Sequence, residues 1–363
     1  MNRQKIAIVY GGRSTEHEVS IRSARNIAQA IDKTRFEVVL LGVDKQGGWH
    51  LKSQKDFSQE TVVEKADSEV VFFPGGGEDK FLLKSTLEPI HIDVIFPIIH
   101  GTGGEDGSLQ GLLKSLNIAF VGPSILGSSL CIDKDITKKV LRDSNISSSL
   151  FLSYHYDEKD QITYEKALTY LGTPMYIKPP NLGSSVGISK VTTKREFYNA
   201  IELAFRYDKK VLIEENIVGR EIECAVLGNE NPKASLVGEV VTIGEQHTFY
   251  SYDAKYKDAT GSKTVIPAEI TDNEQERIRK VAVTAYKLLE CEGMARVDVF
   301  LTESGDILVN EVNTLPGFTD ISMYPKLWEA TGIPYSDLIS RLIDLAIRRH
   351  TLEEKLIVDV EQE

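Results

Sequence analysis

An apolar–polar alternation in two nearby segments predicts a β-hairpin near the C-terminal end of the chain. Apolar and polar residues alternate at 295–300, so Arg296 and Asp298 share one face of this segment. In the same way, Glu311 and Asn313 share one face of the segment 308–313. This period of two is typical of strands with one buried face and one polar face. A Ser-Gly pair at 304–305 lies between the segments and favours a tight turn. The two strands are therefore expected to pair antiparallel, which determines the side chains that face each other.

The register of this hairpin predicts a metal site. With the Ser-Gly pair at the centre of the turn, Asp298 lies opposite Glu311. Arg296 then lies opposite Asn313. Two facing carboxylates repel unless a cation lies between them, and oxygen ligands without Cys or His suit a hard ion such as Mg²⁺. An exposed hairpin with polar outer residues is the usual interpretation of one such strand alone, but two facing strands favour the metal site.

Composition excludes several classes of partner. The chain of 363 residues has 54 acidic and 42 basic side chains and a net charge of −12. General nucleic-acid or anionic-membrane binding requires a basic surface, so any phosphate site must be local. No apolar run is long enough to span a bilayer and no secretory segment is recognised, so we expect a cytoplasmic protein. Three widely spaced cysteines favour reduced thiols.

Strand and helix patterns alternate in the first third of the chain and predict an α/β fold with a parallel sheet. Apolar runs typical of strands occur at 6–10, 38–43, 94–99 and 119–121. Helical spacing between the first two runs is shown by Ile21, Ala24, Ile27 and Ile31. Sheets of this Rossmann-like kind bind ligands at the carboxyl ends of their strands. Residues 45–89 are polar and glycine-rich, and variable surface structure is expected there.

Gly122-Pro123 marks an expected domain boundary. The next part is a small α+β unit, with expected strands at 175–178, 186–191 and 211–214 and expected helices at 134–142 and 193–206. The last part has expected strands at 221–227 and 236–241, a helix with a capping box at Thr271 and Glu274, the hairpin, and a helix at 335–348. We expect an N-terminal Rossmann-like domain at 1–122, a central domain at 123–217 and a C-terminal domain at 218–363.

The segment 178–187 has the composition of a phosphate site. Its glycines let backbone N–H groups approach an anion, Ser184 and Ser185 add hydroxyl donors, and Lys178 adds charge. The spacing differs from that of a P-loop. A plain hairpin turn is the better interpretation of the Gly-Ser-Ser triplet alone. The lysine and the acidic hairpin downstream favour phosphate binding.

An apolar run at 211–213 ends in two glutamates. If such a linker lies beside a pocket, its backbone groups can bind an adenine. Glu214 or Glu221 can then bind a ribose. An ordinary edge strand is the more common structure for this pattern alone.

The loop at 11–20 joins the first strand to the first helix. A Gly-Gly pair at a helix N-terminus favours anions, yet the two glutamates of this loop repel phosphate. An amine therefore suits Glu18 better, and helix capping by Ser20 or Glu18 is an equal alternative. His100, at the end of the strand at 94–99, is placed to point into the same crevice, although a lone histidine is usually structural.

Two later loops have the composition of a lid and of a substrate site. The polar loop at 250–257 suits a lid that excludes water from a reactive intermediate, and an exposed loop is the alternative. The segment 314–322 follows the second strand of the hairpin. There, Gly317 could donate a backbone N–H to developing negative charge, and Ser322 could bind a carboxylate. A Pro-Gly turn that leaves the sheet is the alternative interpretation.

Taken together, these motifs resemble the D-alanine–D-alanine ligase family of the ATP-grasp superfamily, from about residue 6 to residue 347. Six separated motifs occur in the family's order. They are Glu-His-Glu-Val-Ser (16–20), His-Gly-x-x-Gly-Glu-Asp-Gly (100–107), Lys-Pro-x-x-x-Gly-Ser-Ser-Val-Gly (178–187), Lys-Tyr (255–256), Ala-Arg-Val-Asp (295–298) and Glu-Val-Asn-Thr-x-Pro-Gly (311–317).

The resemblance implies an ATP-grasp fold, with ATP between the central and C-terminal domains. It implies a cytoplasmic homodimer that joins two D-alanines for peptidoglycan precursors through an acyl phosphate, with ATP and two Mg²⁺ ions, or Mn²⁺ in their place. By motif position, the implied ATP-binding residues are Lys134, Lys178, Ser185, Glu214, Glu215, Ile217 and Glu221, and the implied metal-binding residues are Asp298, Glu311 and Asn313.

The resemblance also implies how the amino acids are held. The implied catalytic residues are Glu18, Ser184, Tyr256, Arg296 and Gly317, and the implied substrate-binding residues are His100, Lys255 and Ser322. Glu18 would bind the ammonium of the first D-alanine, in a hydrogen-bonded set with Ser184 and Tyr256. His100 would orient that substrate, Lys255 and Ser322 would bind the second carboxylate, and Arg296 with the Gly317 amide would stabilise the oxyanion.

Three other functions remain compatible with these motifs. A relative could join D-alanine to D-lactate or to D-serine, and a noncatalytic ATP-binding sensor could keep the same fold. The resemblance ties Tyr256 to the enzymes that use an amine. Sensing alone does not require Lys178, Arg296, Asp298 and Glu311 together. The sequence therefore favours a ligase that makes a dipeptide.

Overall fold

Three main sheets follow one another along the chain, and helices pack against each of them. The structure is a computed structural model that describes residues 3–66, 68–75, 77, 79–183, 186–242 and 262–357. The strands are β1 (Gln4–Gly11), β2 (Phe36–Val43), β3 (Trp49–Leu51), β4 (Val70–Phe72), β5 (Phe81–Leu83), β6 (Val94–Pro97), β7 (Ala119–Phe120), β8 (Phe151–His155), β9 (Met175–Lys178), β10 (Ser189–Val191), β11 (Lys210–Glu215), β12 (Gly219–Leu227), β13 (Lys233–Thr242), β14 (Ser262–Val265), β15 (Met294–Thr302) and β16 (Ile307–Asn313). The helices are α1 (His17–Ala30), α2 (Gln54–Gln59), α3 (Ser108–Ser115), α4 (Ile125–Ile132), α5 (Lys134–Asp143), α6 (Tyr164–Leu171), α7 (Lys194–Phe205), α8 (Asp272–Leu288), α9 (Met323–Ala330) and α10 (Tyr335–Glu353), with a 3₁₀ helix at Tyr156–Gln161.

The N-terminal sheet has the strand order β3-β2-β1-β6-β7. β1 pairs parallel with β2 and with β6, and β6 pairs parallel with β7, as the sequence predicts. The apolar stripe of α1 is buried in the same core cluster as β1, as its helical spacing predicts. Parallel strands place their carboxyl ends together, so the loops after β1 and β6 lie side by side.

Residues 45–89 form surface structure that is anchored by a few buried side chains. This part contains β3, α2 and the β4–β5 hairpin, and Phe57, Val63 and Phe81 are buried in it. Tyr10 of β1 donates a hydrogen bond of 2.7 Å to Glu60, which also pairs at 2.9 Å with Lys52. These buried side chains anchor the region to the first domain, while most of its described residues lie partly or fully at the surface, where the sequence predicts them.

The central sheet is antiparallel, with the order β10-β9-β11-β8. The predicted helix at 193–206 is α7, and Thr193 with Glu196 forms its capping box. The segment before this sheet packs elsewhere. Cys131 of α4 and Leu141 of α5 lie in the hydrophobic core of the C-terminal sheet. The central sheet itself thus begins at β8, later than the expected boundary at residue 123, and α5 carries its side chains between two sheets.

The C-terminal sheet has the order β14-β13-β12-β15-β16 and contains the predicted hairpin. The pairs Asp298–Glu311 and Arg296–Asn313 have the register that the sequence predicts. Nearer the turn, the observed register differs from the predicted one by one residue, since Leu301 pairs with Ile307. A bulge beside Asp298 then returns the strands to the predicted register. A bulge places two successive residues of one strand opposite one residue of the other. Both Asn310 and Glu311 consequently line the same cleft.

The C-terminal helix joins the first and last domains through a buried arginine. Arg349 of α10 donates hydrogen bonds to the carbonyl oxygens of Gly122 at 2.6 Å and of Phe120 at 2.8 Å. Its guanidinium also lies 4.5 Å from the centre of the Phe120 ring. Backbone carbonyls at the end of β7 are thereby satisfied by a charged donor from another domain.

The described helices include none that is long and apolar enough to cross a membrane. The three cysteines are buried free thiols. Cys131 Sγ lies 3.5 Å from Cys291 Sγ, so α4 contacts the loop that leads into β15.

We expect Arg349→Met to lower the free energy of unfolding by about 2–3 kcal/mol, since two buried carbonyls lose a charged donor. Chemical denaturation measures this change. The neighbouring Arg348 pairs with Glu230 at the surface, so Arg348→Met is the matched control and should cost less than about 0.5 kcal/mol. Equal stabilities of the two variants would contradict the role of Arg349.

Candidate active site

Two cavities meet at the hairpin. The first, of about 150 Å³, lies between the loops after β1 and β6, the hairpin, and the segment 312–323. The second, of about 450 Å³, lies between the central and C-terminal sheets. Lys134, Glu223 and Glu311 line both. A ligand in one cavity therefore lies next to a ligand in the other, which is the arrangement that group transfer between two substrates requires.

A row of carboxylates crosses the C-terminal sheet at this junction. Glu223 of β12 pairs with Asp298 of β15, which pairs with Glu311 of β16. Arg296 donates two hydrogen bonds of 2.7 Å to Asp298 and lies 2.9 Å from Glu223. Burial alone would lower the pKa of Arg296, but the two carboxylates outweigh burial and raise it, so the guanidinium stays charged.

The predicted metal ligands lie together on this face. The Asn313 amide donates a hydrogen bond of 3.0 Å to Asp298, and Lys134 Nζ lies 3.2 Å from Glu311. Within the described residues, no group of three or more His, Cys, Asp or Glu side chains has the arrangement of a metal site. The hairpin offers two carboxylates and one amide oxygen. Such a set fits Mg²⁺, which binds through one or two carboxylates and completes its shell with phosphates and water.

The two predicted phosphate-binding lysines line the second cavity from different elements. Lys178, at the end of β9, forms an ion pair with Glu214 of β11. Lys134, the first residue of α5, donates 3.0 Å to the carbonyl of Leu182 in the glycine-containing loop. Ser185 of the same loop lies outside the described residues, as does Ser184.

Glu214, one of the two predicted ribose ligands, lines the second cavity and forms two ion pairs there. Its two oxygens contact two lysines, Lys178 and the fully buried Lys138. Burial would raise the pKa of Glu214, but the two lysines outweigh it and lower the pKa to about 2. Both oxygens of this carboxylate contact lysines, and Glu221, the other predicted ribose ligand, lines the same cavity. Sequence analysis missed Lys138, although its spacing of four residues from Lys134 places both on one face of a helix.

The remaining linker residues also lie at the second cavity. Glu215 and Ile217 line it. The Glu215 side chain accepts a hydrogen bond of 2.6 Å from the backbone N–H of Leu150. This contact ties the start of the linker to the residue before β8 of the central sheet.

The structure separates the two glutamates of the first loop, Glu16 and Glu18. Glu18 lies in the first turn of α1, its side chain is 50% exposed, and it pairs at 2.8 Å with Lys45. It does not line the first cavity, whereas Glu16 does and is only 8% exposed. A Cβ atom on Gly101 would come within 2.9 Å of the Glu16 carboxylate, so the glycine leaves room for this side chain. Glu16 is the N-cap residue of α1, and the helix turns Glu18 away to solvent.

His100 lines the first cavity, but both of its ring nitrogens contact protein. Nδ1 lies 2.9 Å from the carbonyl oxygen of Leu315, so Nδ1 carries the hydrogen. Nε2 then accepts a hydrogen bond of 3.1 Å from Ser23, whose hydroxyl accepts 3.3 Å from the N–H of Phe318. The imidazole therefore ties the N-terminal domain to the segment after the hairpin, and it lines the first cavity without a free ring nitrogen.

Gly317 and Ser322 lie against each other at the first cavity. A Cβ atom at Gly317 would lie 2.7 Å from Ser322 Oγ, so a larger residue would displace the serine. Ser322 is the N-cap residue of α9, and Thr319 donates a backbone hydrogen bond of 2.9 Å to its hydroxyl. A helix N-terminus with a hydroxyl favours a carboxylate. Lys255 and Tyr256, predicted in the lid, lie outside the described residues.

Glu105 is a functional candidate that sequence analysis did not select. It lines the first cavity, and its carboxylate lies 3.8 Å from Nδ1 of His100 and accepts 3.0 Å from the N–H of Gly101. Burial, reinforced by the Glu16 carboxylate, raises the pKa of Glu105 from 4.5 to about 8. Its position in the His-Gly-x-x-Gly-Glu motif was the sequence feature that could have indicated a functional role.

Comparison with known proteins agrees with this geometry. The family model described as D-ala D-ala ligase N-terminus matches residues 5–123, and the model described as D-ala D-ala ligase C-terminus matches residues 140–344. The chain belongs to the D-alanine–D-alanine ligase family. It is 51% identical to a D-alanine–D-alanine ligase of Shouchella clausii over 98% of both chains.

Solved structures of this ligase family have the same fold. The VanG D-Ala:D-Ser ligase of Enterococcus faecalis has a TM-score of 0.86 and 37% identity, with 95% of this chain and 100% of that chain covered. The D-alanine–D-alanine ligase of Bacillus anthracis complexed with ATP has a TM-score of 0.74 and 30% identity, with 97% and 100% covered. The ATP-grasp fold is thus confirmed, and the family identity predicted from the motifs is correct.

The raised pKa of Glu105 gives a pH dependence of stability. Between pH 4.5 and 8 the folded chain holds this proton and the unfolded chain does not, so its contribution to the free energy of unfolding falls as pH rises. Glu105→Gln removes this contribution, and we expect its stability to decline less than that of the wild type across this range, by about 1 kcal/mol or more. Denaturation at several pH values measures the difference. Parallel profiles would contradict the shift, and Glu303→Gln, at an exposed turn residue, is the control.

Proposed function

We propose that the chain is an ATP-dependent ligase that joins two D-alanines into D-alanyl-D-alanine, the dipeptide of peptidoglycan precursors. One observation carries this proposal: the cavity that suits amino acids and the cavity that suits a nucleotide share Lys134 and Glu311. A carboxylate bound in the first can therefore reach a phosphate bound in the second.

The first cavity has complementary ends for two amino acids. The Glu16 carboxylate binds the ammonium of the first D-alanine. The other acidic side chain that lines this cavity from the loops after β1 and β6 is Glu105, whose raised pKa of about 8 keeps it protonated at neutral pH. The N-terminus of α9 with Ser322 binds the carboxylate of the second D-alanine. Arg296 lines the same cavity. Lys255 and Tyr256 stay proposed members of the lid.

In the first step, an oxygen of the first D-alanine's carboxylate attacks the γ-phosphorus of ATP, and the bond to ADP breaks. An acyl phosphate forms. Lys134, Lys178 and Arg296 stabilise the negative charge of the transferring phosphoryl group. The Asp298, Glu311 and Asn313 oxygens would hold two Mg²⁺ ions, which supply further charge neutralisation when bound.

In the second step, the deprotonated amine of the second D-alanine attacks the acyl carbon. The tetrahedral intermediate carries an oxyanion, which the Gly317 N–H and Arg296 would stabilise. This role is supported by the presence of both residues in the lining of the first cavity. Phosphate leaves, the nitrogen loses its remaining extra proton, and the peptide bond is complete. Exclusion of water protects the acyl phosphate from hydrolysis.

D-serine is a second candidate for the attacking amino acid. The likeness to the VanG D-Ala:D-Ser ligase favours testing it, since that protein shares the fold over nearly the whole chain. We also keep the proposal of a homodimer, which sedimentation analysis tests.

Phosphate release with purified protein, ATP and Mg²⁺ tests the proposed function. We expect release that depends on D-alanine and yields the dipeptide, detected by mass spectrometry. D-serine and D-lactate are offered as second substrates in parallel, at neutral pH. Higher turnover with either would change the assigned product. No D-alanine-dependent release with any of them would instead leave an ATP-binding sensor.

Two neighbouring glutamates give a matched pair of variants for the ammonium site. Glu16→Gln removes the charge that faces the first cavity, and we expect kcat/KM for D-alanine to fall by about 100-fold, since a buried charged contact is lost. Glu18→Gln removes a half-exposed charge outside the cavity, and we expect a change of less than threefold. The opposite ranking in steady-state kinetics would restore the assignment to Glu18.

A further inference from the structure

A fully buried lysine lies behind the nucleotide cleft. Lys138 of α5 has a side-chain exposure of 0% and does not line either of the two cavities. Its Nζ lies 2.8 Å from Glu214 Oε1 and donates a hydrogen bond of 2.8 Å to Ser149 Oγ. Burial of an ammonium group carries a large desolvation cost, so a lysine in such a place needs a reason beyond packing.

The contacts of Glu214 supply that reason. Its Oε1 faces Lys138 and its Oε2 faces Lys178, so one carboxylate is shared by two ammonium groups. Glu214 is 5% exposed and Lys178 is 6% exposed, so little water screens these charges from one another. The three side chains together carry a net charge of one positive unit. Lys178 lines the cleft and Lys138 does not, so that excess charge is presented on the cleft side.

We propose that Lys138 is a positioning residue that neutralises Glu214, so that Lys178 presents its positive charge to the phosphates of ATP. Without Lys138, Glu214 and Lys178 would form a neutral pair, and the cleft would lose attraction for the nucleotide's anionic end. The inference rests on the proposed binding of ATP in this cleft.

The surroundings of Lys138 fit this role. Its second partner, Ser149, is a neutral hydroxyl, so Glu214 is the one acidic group that it contacts among the described residues. The ring of Phe151 lies 6.0 Å from Nζ, a distance at which the ring face attracts a cation without neutralising it. Lys134 and Lys138 are four residues apart on α5, so one helix supplies both the lysine that faces Glu311 and the lysine that neutralises Glu214.

The test uses Lys138→Met, which keeps the length of the side chain and removes its charge. Lys139→Met is the matched control, because Lys139 is the next residue of α5, is 45% exposed and pairs with Asp135. Lys138→Met/Glu214→Gln removes one positive and one negative charge and so returns the net charge of the wild type. Titration calorimetry with ADP and with adenosine, both with Mg²⁺, separates phosphate recognition from base recognition.

We expect Lys138→Met to weaken ADP binding by about tenfold and to raise KM for ATP similarly, since a buried unit charge near a phosphate acts at low effective dielectric. Adenosine affinity and KM for D-alanine should change by less than twofold. The double variant should recover most of the ADP affinity. Lys139→Met should resemble the wild type throughout.

Three results would overturn this inference. The first is an ADP affinity of Lys138→Met equal to that of the wild type. The second is an equal loss of affinity for ADP and for adenosine in Lys138→Met. The third is an ADP affinity of the double variant no higher than that of Lys138→Met. Equal losses of affinity for ADP and adenosine would mean that Lys138 only supports the fold. In that case thermal melts would show a lower melting temperature for the Lys138→Met variant. A wild-type chain that binds no ADP or ATP would overturn the proposed function as well, which distinguishes the two failures.

Discussion

The site depends on cations that hold neighbouring carboxylates together. Antiparallel pairing places Asp298 opposite Glu311, and Glu223 lies beside them on the next strand. Facing carboxylates repel, so this row persists only because cations hold it. Arg296 comes from the same strand as Asp298, whereas Lys134 comes from α5, which reaches the junction from another part of the chain. The sheet therefore places the acids, and the packing of α5 supplies part of the compensating charge.

The same junction draws on all three parts of the chain. The N-terminal domain contributes Glu16 and the His100 ring, whose hydrogen bond to Leu315 ties that domain to the segment after the hairpin. The central sheet contributes Lys178. The shape of the two cavities is thus determined by contacts between domains. Arg349, which lines neither cavity, belongs to this scheme because it binds the carbonyls at the end of the first domain.

Much of this arrangement could be predicted from local patterns. The parallel sheet, the helix with the Thr271 capping box and the Asp298–Glu311 pair follow from periodicity and turn chemistry, which act over short distances. The hairpin also shows the limit of such reasoning. Its turn is one residue out of the expected register, and the bulge corrects this, which alternation alone does not reveal.

The misses share a physical origin. Glu16 and Glu18 are two residues apart in one motif, and only the exact start of α1 decides which of them faces the cavity. Helix boundaries are the least certain part of a sequence-based prediction. Lys138 and the two-sided contact of Glu214 depend on how α5 packs between two sheets. No local pattern contains that information, and buried charge is rare enough that a lysine in a helix is ordinarily assigned to the surface.

Metal binding is the most direct test of the role proposed for the facing carboxylates of the hairpin. Titration of Mn²⁺ into the chain with a nonhydrolysable ATP analogue, followed by the electron paramagnetic resonance signal of the free ion, counts bound ions without requiring turnover. We expect two ions per wild-type chain and at most one in Glu311→Gln, while Glu303→Gln in the hairpin turn keeps both. Two ions bound with unchanged affinity by Glu311→Gln would contradict the claim that these facing carboxylates hold the cations of the site.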